Sequence, residues 1–394
     1  MGELRIKAGR AKPLWRGHPW VFADSIASIE GSPGAGDLVL VRAPDGRPIG
    51  RGYYSPQSAI VSRILVRDEE TPVDAAFYRQ RLASARHLRD VVLDLPMVSD
   101  AYRMVHSEGD LLPGLIVDSF GGRLVVQFST IGMHRNREVI LDALEEVFQP
   151  SSIHETPDRR ACEKEGIETR PGLLRGSEPN EQIEITENGI QFRVGLASGQ
   201  KTGFYADQRE NRKHIARLFR DRTVLDLHCY TGGFGLYAAV NGAEEVLGVD
   251  TSGPALALAA ENAMLNHGRQ VSYERADAKV VLDRCHREKR KFDIVVCDPP
   301  KYARDRKHAP KALRAYRDLH LRAMRVVAPG GLLAVSSCSG SVTEAEFDQT
   351  LRDAAYDLGR DIQVLHCGGQ ASDHPVHAAC PEGRYLKFRI VSVS

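Results

Sequence analysis

Two residues in the last third of the chain have the type and setting for covalent chemistry on a nucleobase. Cys338 lies in Ser336-Ser337-Cys338-Ser339-Gly340, a polar, turn-like run directly after a predicted strand, Leu332 to Ser336. A thiolate can be exposed and stabilised in such a setting. Asp298 opens Asp298-Pro299-Pro300 at the end of the preceding predicted strand, Phe292 to Cys297. The paired prolines stop the ladder there and stiffen the loop. A thiol and a carboxylate at neighbouring strand ends suit methylation at carbon 5 of a pyrimidine. That carbon is too poor a nucleophile to attack a sulfonium methyl directly. Thiolate addition at carbon 6 creates an enamine-like intermediate that is nucleophilic at carbon 5. Asp298 can hydrogen-bond the cytosine amino edge, and a base, which the sequence does not name, removes the carbon-5 proton before the thiol leaves. A lone cysteine is more often a small core residue. Cys297 alternates away from the loop and is read as core; Cys229 is the weaker rival nucleophile.

The stretch that must position a methyl donor runs from Thr223 to Asp250. It reads as a buried strand, a turn with Gly232, Gly233 and Gly235, a helix through Val240, and a second strand ending on Asp250. This is the first βαβ unit of a doubly wound sheet with a nucleoside-type cofactor at its switch point. Bare glycines let backbone approach the ligand, and a carboxylate after the second strand can hold ribose hydroxyls. The spacing alone fits NAD as well as S-adenosyl-L-methionine. The absence of a full G-x-G-x-x-G and the presence of the DPP loop favour the methyl donor. The cofactor-facing set is Asp226, Tyr230, Thr231, Gly232, Asp250, Ser252, Asp277, Asp298 and Pro299. Asp277 follows the third strand, where it can meet the adenine amino group or cap the next helix, or do both.

Around these lie residues suited to RNA. Lys201 and Phe204 belong to the glycine-bounded GQKTGF loop, which could cover the cofactor or touch phosphate; Arg209 is on the basic helix predicted from Asp207 to Arg220. Lys301, Tyr302 and Arg304 follow the prolines and begin a run of cations that continues through Arg306, Lys307, Lys311, Arg314 and Arg317. Charge runs are usually solvated faces, but beside an active-site loop this one suits a phosphate track. A flipped base could stack on Phe204, Tyr230 or Tyr302.

The chain has 394 residues and a formal net charge of +1, so any basic surface is local. Its seven cysteines are scattered without a C-x-x-C, which argues for reduced thiols and against a disulfide framework or a cluster. No apolar run is long enough for a signal peptide or a membrane span, so a soluble, cytoplasmic protein is expected. The pattern His374-x-x-His377-x-x-Cys380 matches no common zinc spacing, and no metal is expected.

Three domains are expected: residues 1–70, 71–197 and 198–394. The first is a small β domain, with strands over Asp37 to Val41, Ile49 to Tyr53 and Ile60 to Leu65. Its Arg5, Lys7, Arg10, Lys12 and Arg16 alternate with Trp15, His18 and Trp20, either to grip RNA or as a charged strand edge over two core tryptophans. The second is an α+β module after a connector helix, Ala75 to about Asp90, closed by a hairpin turning at Asn188-Gly189. The third alternates strands and helices, with a helix Lys311 to Val327 stopping at Pro329-Gly330-Gly331.

With these residues assembled, the chain resembles the ribosomal large subunit methyltransferase I family, cytosine-C5 enzymes of 23S rRNA. The likeness is carried by HPWVF, GYYSPQSAI, EGDLLPGLIVD, GQKTGFYADQRENR, VLDLHCYTGGFG, VVCDPPKYA, SSCS and DHP. It implies an N-terminal PUA RNA-binding domain of β-barrel type, a central α+β domain, and a Rossmann-like α/β methyltransferase domain with a seven-stranded sheet. It also implies that Cys338 is the nucleophile, that the cofactor is S-adenosyl-L-methionine and that the partner is 23S ribosomal RNA. His228 stands where the family often has Phe, and Tyr205-Ala206 precede Asp207; both bear on the pocket lining. A homodimer is left open as the oligomeric state.

The alternatives are a base-nitrogen methyltransferase using the DPP loop with Cys338 structural, and a catalytically idle RNA-binding assembly factor. An NAD-dependent dehydrogenase ranks last, because no hydride-transfer acid/base pair is present.

Overall fold

The computed structural model describes residues 2–177, 182–195 and 204–394. By packing, the chain forms two units. One comprises Met1–Ile185, Val194–Ala206 and Ser372–Gly383; the other comprises Thr186–Arg193, Asp207–Ala371 and Arg384–Ser394.

In the first unit, a six-stranded sheet includes the antiparallel run Leu38–Arg42, Pro48–Tyr54 and Ile60–Val66. The neighbouring five-stranded sheet has the order Gly172–Gly176, Ser152–Glu155, Arg123–Phe128, Leu115–Phe120, Ala101–His106. The two share a core: Tyr53, Leu65 and Val66 pack with Phe77, Tyr78 and Leu82 of the connector helix, and Tyr53 Oη lies 2.6 Å from Tyr78 Oη. That helix, Ala75–His87, continues into a π-helical turn, Leu88–Val92. Neither tryptophan is a core residue. Trp15 is half exposed under the Arg47 guanidinium, and Trp20 donates from Nε1 to Glu108 at 2.7 Å.

Arg89, on the π-helical turn, is wholly buried. Its Nε donates to Arg103 O, its Nη1 to Ala85 O and Asp110, and its Nη2 to Asp110 Oδ2 at 2.8 Å and Asp373 O at 2.7 Å. All five guanidinium hydrogens are therefore accepted, the condition under which a buried arginine is tolerable. Asp373 also receives Arg103 N at 2.8 Å, and His374 lies against it at 3.0 Å. The EGD and DHP motifs, which look like turns in the sequence, are the two arms of this clasp.

The second unit holds a seven-stranded sheet. Its strands are β1 (Thr223–Leu227), β2 (Glu245–Asp250), β3 (Val271–Arg275), β4 (Phe292–Cys297), β5 (Val327–Ser337), β6 (Ile362–Gly368) and β7 (Lys387–Val393). The order is β3-β2-β1-β4-β5-β7-β6, with β7 antiparallel to both its neighbours. The helices are α1 (Arg209–Ala216), α2 (Gly233–Val240), α3 (Gly253–Leu265), α4 (Ala278–Arg287), α5 (Ala309–Val326) and α6 (Glu344–Leu358). Strands β1, β4 and β5 are buried almost throughout, as parallel strands covered on both faces must be.

Two expectations are corrected. The basic helix is shorter than predicted: a 3₁₀ turn, Ala206–Gln208, precedes α1, which ends at Ala216. The Pro329-Gly330-Gly331 stop does not end α5; the helix ends at Val326 and the prolyl-glycyl bend lies inside β5. The register with β4 jumps there, and a Cβ on Gly331 would sit 2.7 Å from Asp293 O, so only glycine lets the bulged strand come this close.

Replacing Arg89 by Met is expected to cost the first unit about 3–5 kcal/mol, because Asp110 is left charged and buried without its partner. Urea unfolding measures this, and a loss below about 1 kcal/mol would show the clasp to be dispensable.

Candidate active site

The site is built at the carboxyl edge of the sheet, where β1, β2, β4 and β5 end. The glycine turn after β1 is shaped by backbone sterics. His228 and Tyr230 take positive φ, and Gly232, at φ +86°, is the N-cap of α2 without a capping side chain. The missing cap comes from the strand below: Asp226 Oδ2 accepts Gly235 N at 2.7 Å, one of the helix's orphan donors. Arg212 of α1 supports the turn from the other side, since a Cβ on Gly233 would meet its Cδ at 3.5 Å. That guanidinium is buried and paired in parallel with Glu187 at 2.8 Å on both arms, and Tyr237 Oη donates to the same carboxylate at 2.9 Å.

Asp250, at the end of β2, receives Tyr230 N on Oδ2 at 3.0 Å and Ser252 N on Oδ1 at 2.8 Å. The first glycine-turn loop and the start of α3 are thus fixed about one carboxylate. Ser252 caps α3 through Ala255 N, and Asp277 is an exposed N-cap of α4 through Lys279 N. Thr231 is buried, and its carbonyl accepts Asn262 Nδ2.

Asp226 is 1% exposed, and burial lifts its carboxyl to about 7, with Asp298 and Asp250 adding to the effect. Its Oδ1 and the Nε2 of His228 are buried atoms without a hydrogen-bond partner among the described residues. Burial holds the His228 imidazole towards its neutral form, against the pull of Asp250 and Asp277.

Asp298 follows β4, and β4 pairs in parallel with β5 so that Cys297 faces Val335. Ser336 Oγ and Gln208 Nε2, the latter at 3.1 Å, both donate to Asp298 Oδ1. Gln208 is itself held by Asn211 at 2.6 Å. The DQRENR motif, which reads in sequence as a basic helix, is a scaffold under the DPP loop. Gln208 and Ser336 were missed as positioning residues; the polar run preceding α1 was the available signal.

Two residues after Ser336 comes Cys338, a half-buried cysteine outside any disulfide. The structure therefore brings Asp298 and Cys338 to adjoining strand ends. Ser337 Oγ donates to Tyr316 Oη at 2.9 Å, Tyr316 Oη lies 3.1 Å from Ser339 Oγ, and Ala303 N donates to that same hydroxyl. These bonds brace the backbone on both sides of the thiol. Cys297 belongs to the core. Cys229 is buried, and burial followed by Asp226 and Asp250 pushes its thiol well above the ordinary range.

The residues assigned to RNA are distributed unevenly. Lys301 and Arg304 are exposed on the DPP loop, Pro299 is buried beneath it, and Tyr302 is half-buried against Tyr316 with ring centres 4.8 Å apart. Arg209 is 1% exposed, its side chain inside the unit, and Phe204 is buried in the first unit. Lys201 lies outside the described residues. Farther along, Arg306 and Arg317 are engaged by Glu346 and Asp357. No helix is long and apolar enough to cross a membrane among the described residues.

His374, His377 and Cys380 do not converge; instead His18, Cys380 and Glu382 come within 4.8 Å of one another in the first unit. Trp20 N donates to His18 Nδ1, which places the ring's proton on Nε2, 3.4 Å from Glu382 Oε1. A metal at Nε2 would require the opposite tautomer.

Because the folded Asp226 carboxyl titrates above its unfolded value, its contribution to stability is fully present below about pH 4 and is lost as pH rises through about 7. Asp226→Asn, which keeps an oxygen for Gly235 N, is expected to gain on the wild type across that window by about 1.4 kcal/mol per pH unit. Urea unfolding of both chains at a series of pH values checks it; a stability difference that does not change with pH contradicts it.

Comparison with known proteins agrees with this architecture. Residues 4–67 match a PUA-like domain and residues 169–358 an S-adenosylmethionine-dependent methyltransferase domain. The chain is 41% identical over 391 residues to the ribosomal RNA large subunit methyltransferase I of Aeromonas salmonicida, covering 98% of each chain. It is 40% identical over 395 residues to that of Shewanella denitrificans, covering 99% of each. An S-adenosylmethionine-dependent methyltransferase-type structure from Streptococcus mutans superposes with a TM-score of 0.86 at 21% identity over 100% of both chains, which shows the shared fold. The cofactor is S-adenosylmethionine, and the residues present fit it: a glycine turn, the Asp250 carboxylate, and two buried polar atoms awaiting partners on Asp226 and His228. The chain belongs to the ribosomal RNA large subunit methyltransferase I family.

Proposed function

We propose that this protein methylates carbon 5 of a cytosine in 23S ribosomal RNA, through a covalent adduct between Cys338 and carbon 6 of the base. The observation that carries the proposal is a half-buried thiol, braced on both flanks, on a strand end adjoining that of the fixed Asp298 carboxylate. The relatives' names supply the ribosomal substrate, and a cytoplasmic setting follows from it.

Cys338 adds to carbon 6 as the thiolate, and the electron pair of the 5,6 double bond becomes available at carbon 5. Asp298, held through Oδ1 by Gln208 and Ser336, accepts from the cytosine amino group and orients the ring. The bound cofactor supplies an electrophilic sulfonium methyl. Loss of the carbon-5 proton then restores the double bond and expels the Cys338 thiolate. In this reading Asp250 holds the cofactor's ribose, Tyr230, Thr231, Gly232 and Ser252 form the turn around it, and Asp277 faces its adenine. Asp226 acts from beneath, by fixing the start of α2. Lys301 and Arg304, exposed beside the loop, take RNA phosphates, and Tyr302 supports the flipped base.

Cys338→Ala is expected to retain S-adenosylmethionine binding by calorimetry and to lose methyl transfer by roughly 10³-fold or more. Mass spectrometry of rRNA nucleosides treated with the wild type is expected to show 5-methylcytidine. Methylguanosine or methyladenosine, together with an active Cys338→Ala chain, would transfer the chemistry to a base nitrogen.

A further inference from the structure

Behind Cys338 lies a buried cation that the mechanism above leaves unused. Lys387, the first residue of β7, faces Ser337 of β5 across the antiparallel ladder and is 3% exposed. Its Nζ donates to Ser339 O at 2.7 Å and to Tyr385 O at 2.9 Å. It is therefore fastened to the carbonyl of the residue that follows the thiol. Among the described residues Lys387 has no carboxylate partner. Glu344, the carboxylate that acts on it from a distance, is bonded to Arg389 at 3.0 Å.

A buried ammonium held only by neutral carbonyls is costly, and a side chain of this kind normally neutralises an anion or gives up its proton. Four other groups act on the Lys387 charge: Cys338 after β5, Glu344 on α6, Lys301 on the DPP loop, and Arg389 two residues along β7. Burial draws the Lys387 ammonium down to about 8; the charge on Cys338 and then Glu344 oppose this, while Lys301 and Arg389 reinforce it. Of the groups that favour the ammonium, Cys338 has the largest effect. Each charge favours the other.

We infer that Lys387 is a positioning residue for the reaction: its ammonium is the built-in counter-charge that stabilises the Cys338 thiolate and, through Ser339 O, fixes the thiol's place at the strand end. The inference rests on Cys338 being the nucleophile. In the step it assists, the Cys338 S–H bond breaks, the proton passes to solvent, and Lys387 keeps its own protons. The same ammonium, still bonded to Ser339 O, favours departure of the sulfur as thiolate when the adduct collapses.

Site-resolved alkylation with iodoacetamide, followed by peptide mass spectrometry across pH, tests this in the full-length protein. Cys367, which is exposed, serves as an internal control. In the wild type, Cys338 alkylation is expected to rise with an inflection at least a unit below the ordinary thiol value of about 8.5. Lys387→Met is expected to move that inflection up by about one unit, slowing alkylation of Cys338 near neutrality about tenfold. Lys387→Arg should restore most of the rate, and Cys367 should be alkylated equally in all three chains. An unchanged Cys338 profile in a folded Lys387→Met chain overturns the inference. Should that chain fail to fold, the wild-type profile decides: an inflection at or above the ordinary thiol value also overturns it. Neither result bears on whether Cys338→Ala abolishes transfer, so a failed counter-charge and a failed nucleophile remain distinguishable.

Discussion

The parallel pairing of β4 with β5 is the constraint on which the proposed chemistry depends. Parallel neighbours end at the same edge, so the loops that leave them emerge side by side. With Cys297 opposite Val335, Asp298 and the Ser336–Cys338 run leave the sheet together, and Ser336 Oγ closes the distance by bonding the Asp298 carboxylate. A shift of one residue along β5 would turn Ser336 to the other face and remove that bond. The bulge at Pro329-Gly330-Gly331 sets the register, so a bend remote from the site decides which serine meets the carboxylate.

Around that pair, the second unit keeps several charges away from water. Arg212 with Glu187 is a complete pair, with a tyrosine hydroxyl filling a further acceptor position. Asp226 is incomplete and responds by holding its proton more tightly. Lys387 is incomplete in the opposite sense. Complete pairs support the glycine turn, whereas the incomplete groups lie at β1 and β7, the one beneath that turn and the other bonded to the backbone that follows Cys338. Preorganised charge of this kind is where active sites differ most from ordinary cores.

Much of this was legible in the sequence. The β1 to β2 stretch, the DPP loop and the SSCS turn were readable because strand alternation, glycine turns and proline stops are local signals, whereas the seven-stranded sheet was implied by the family resemblance. Local signals failed where a residue's partner is distant in sequence. Arg89 gives no sign of burial until Asp110 and Asp373 are placed around it. Arg209 looks like an RNA contact on a basic helix, yet its side chain is interior. Gln208 is unremarkable until Asp298, ninety residues later, accepts its amide. Lys387 sits in an apolar strand, and only the antiparallel pairing of β7 with β5 brings it to the thiol's backbone.

The clasp around Arg89 also orders events during synthesis. Asp373 belongs to the first unit although it is made after nearly all of the second. While residues up to 371 are emerging from a ribosome, the Arg89 guanidinium has Asp110 but still lacks one of its acceptors, and Arg103 N lacks the Asp373 carboxylate. The amino-terminal unit consequently cannot reach its final packing ahead of the rest. The bonds to Asp373 form only once the chain has passed β6.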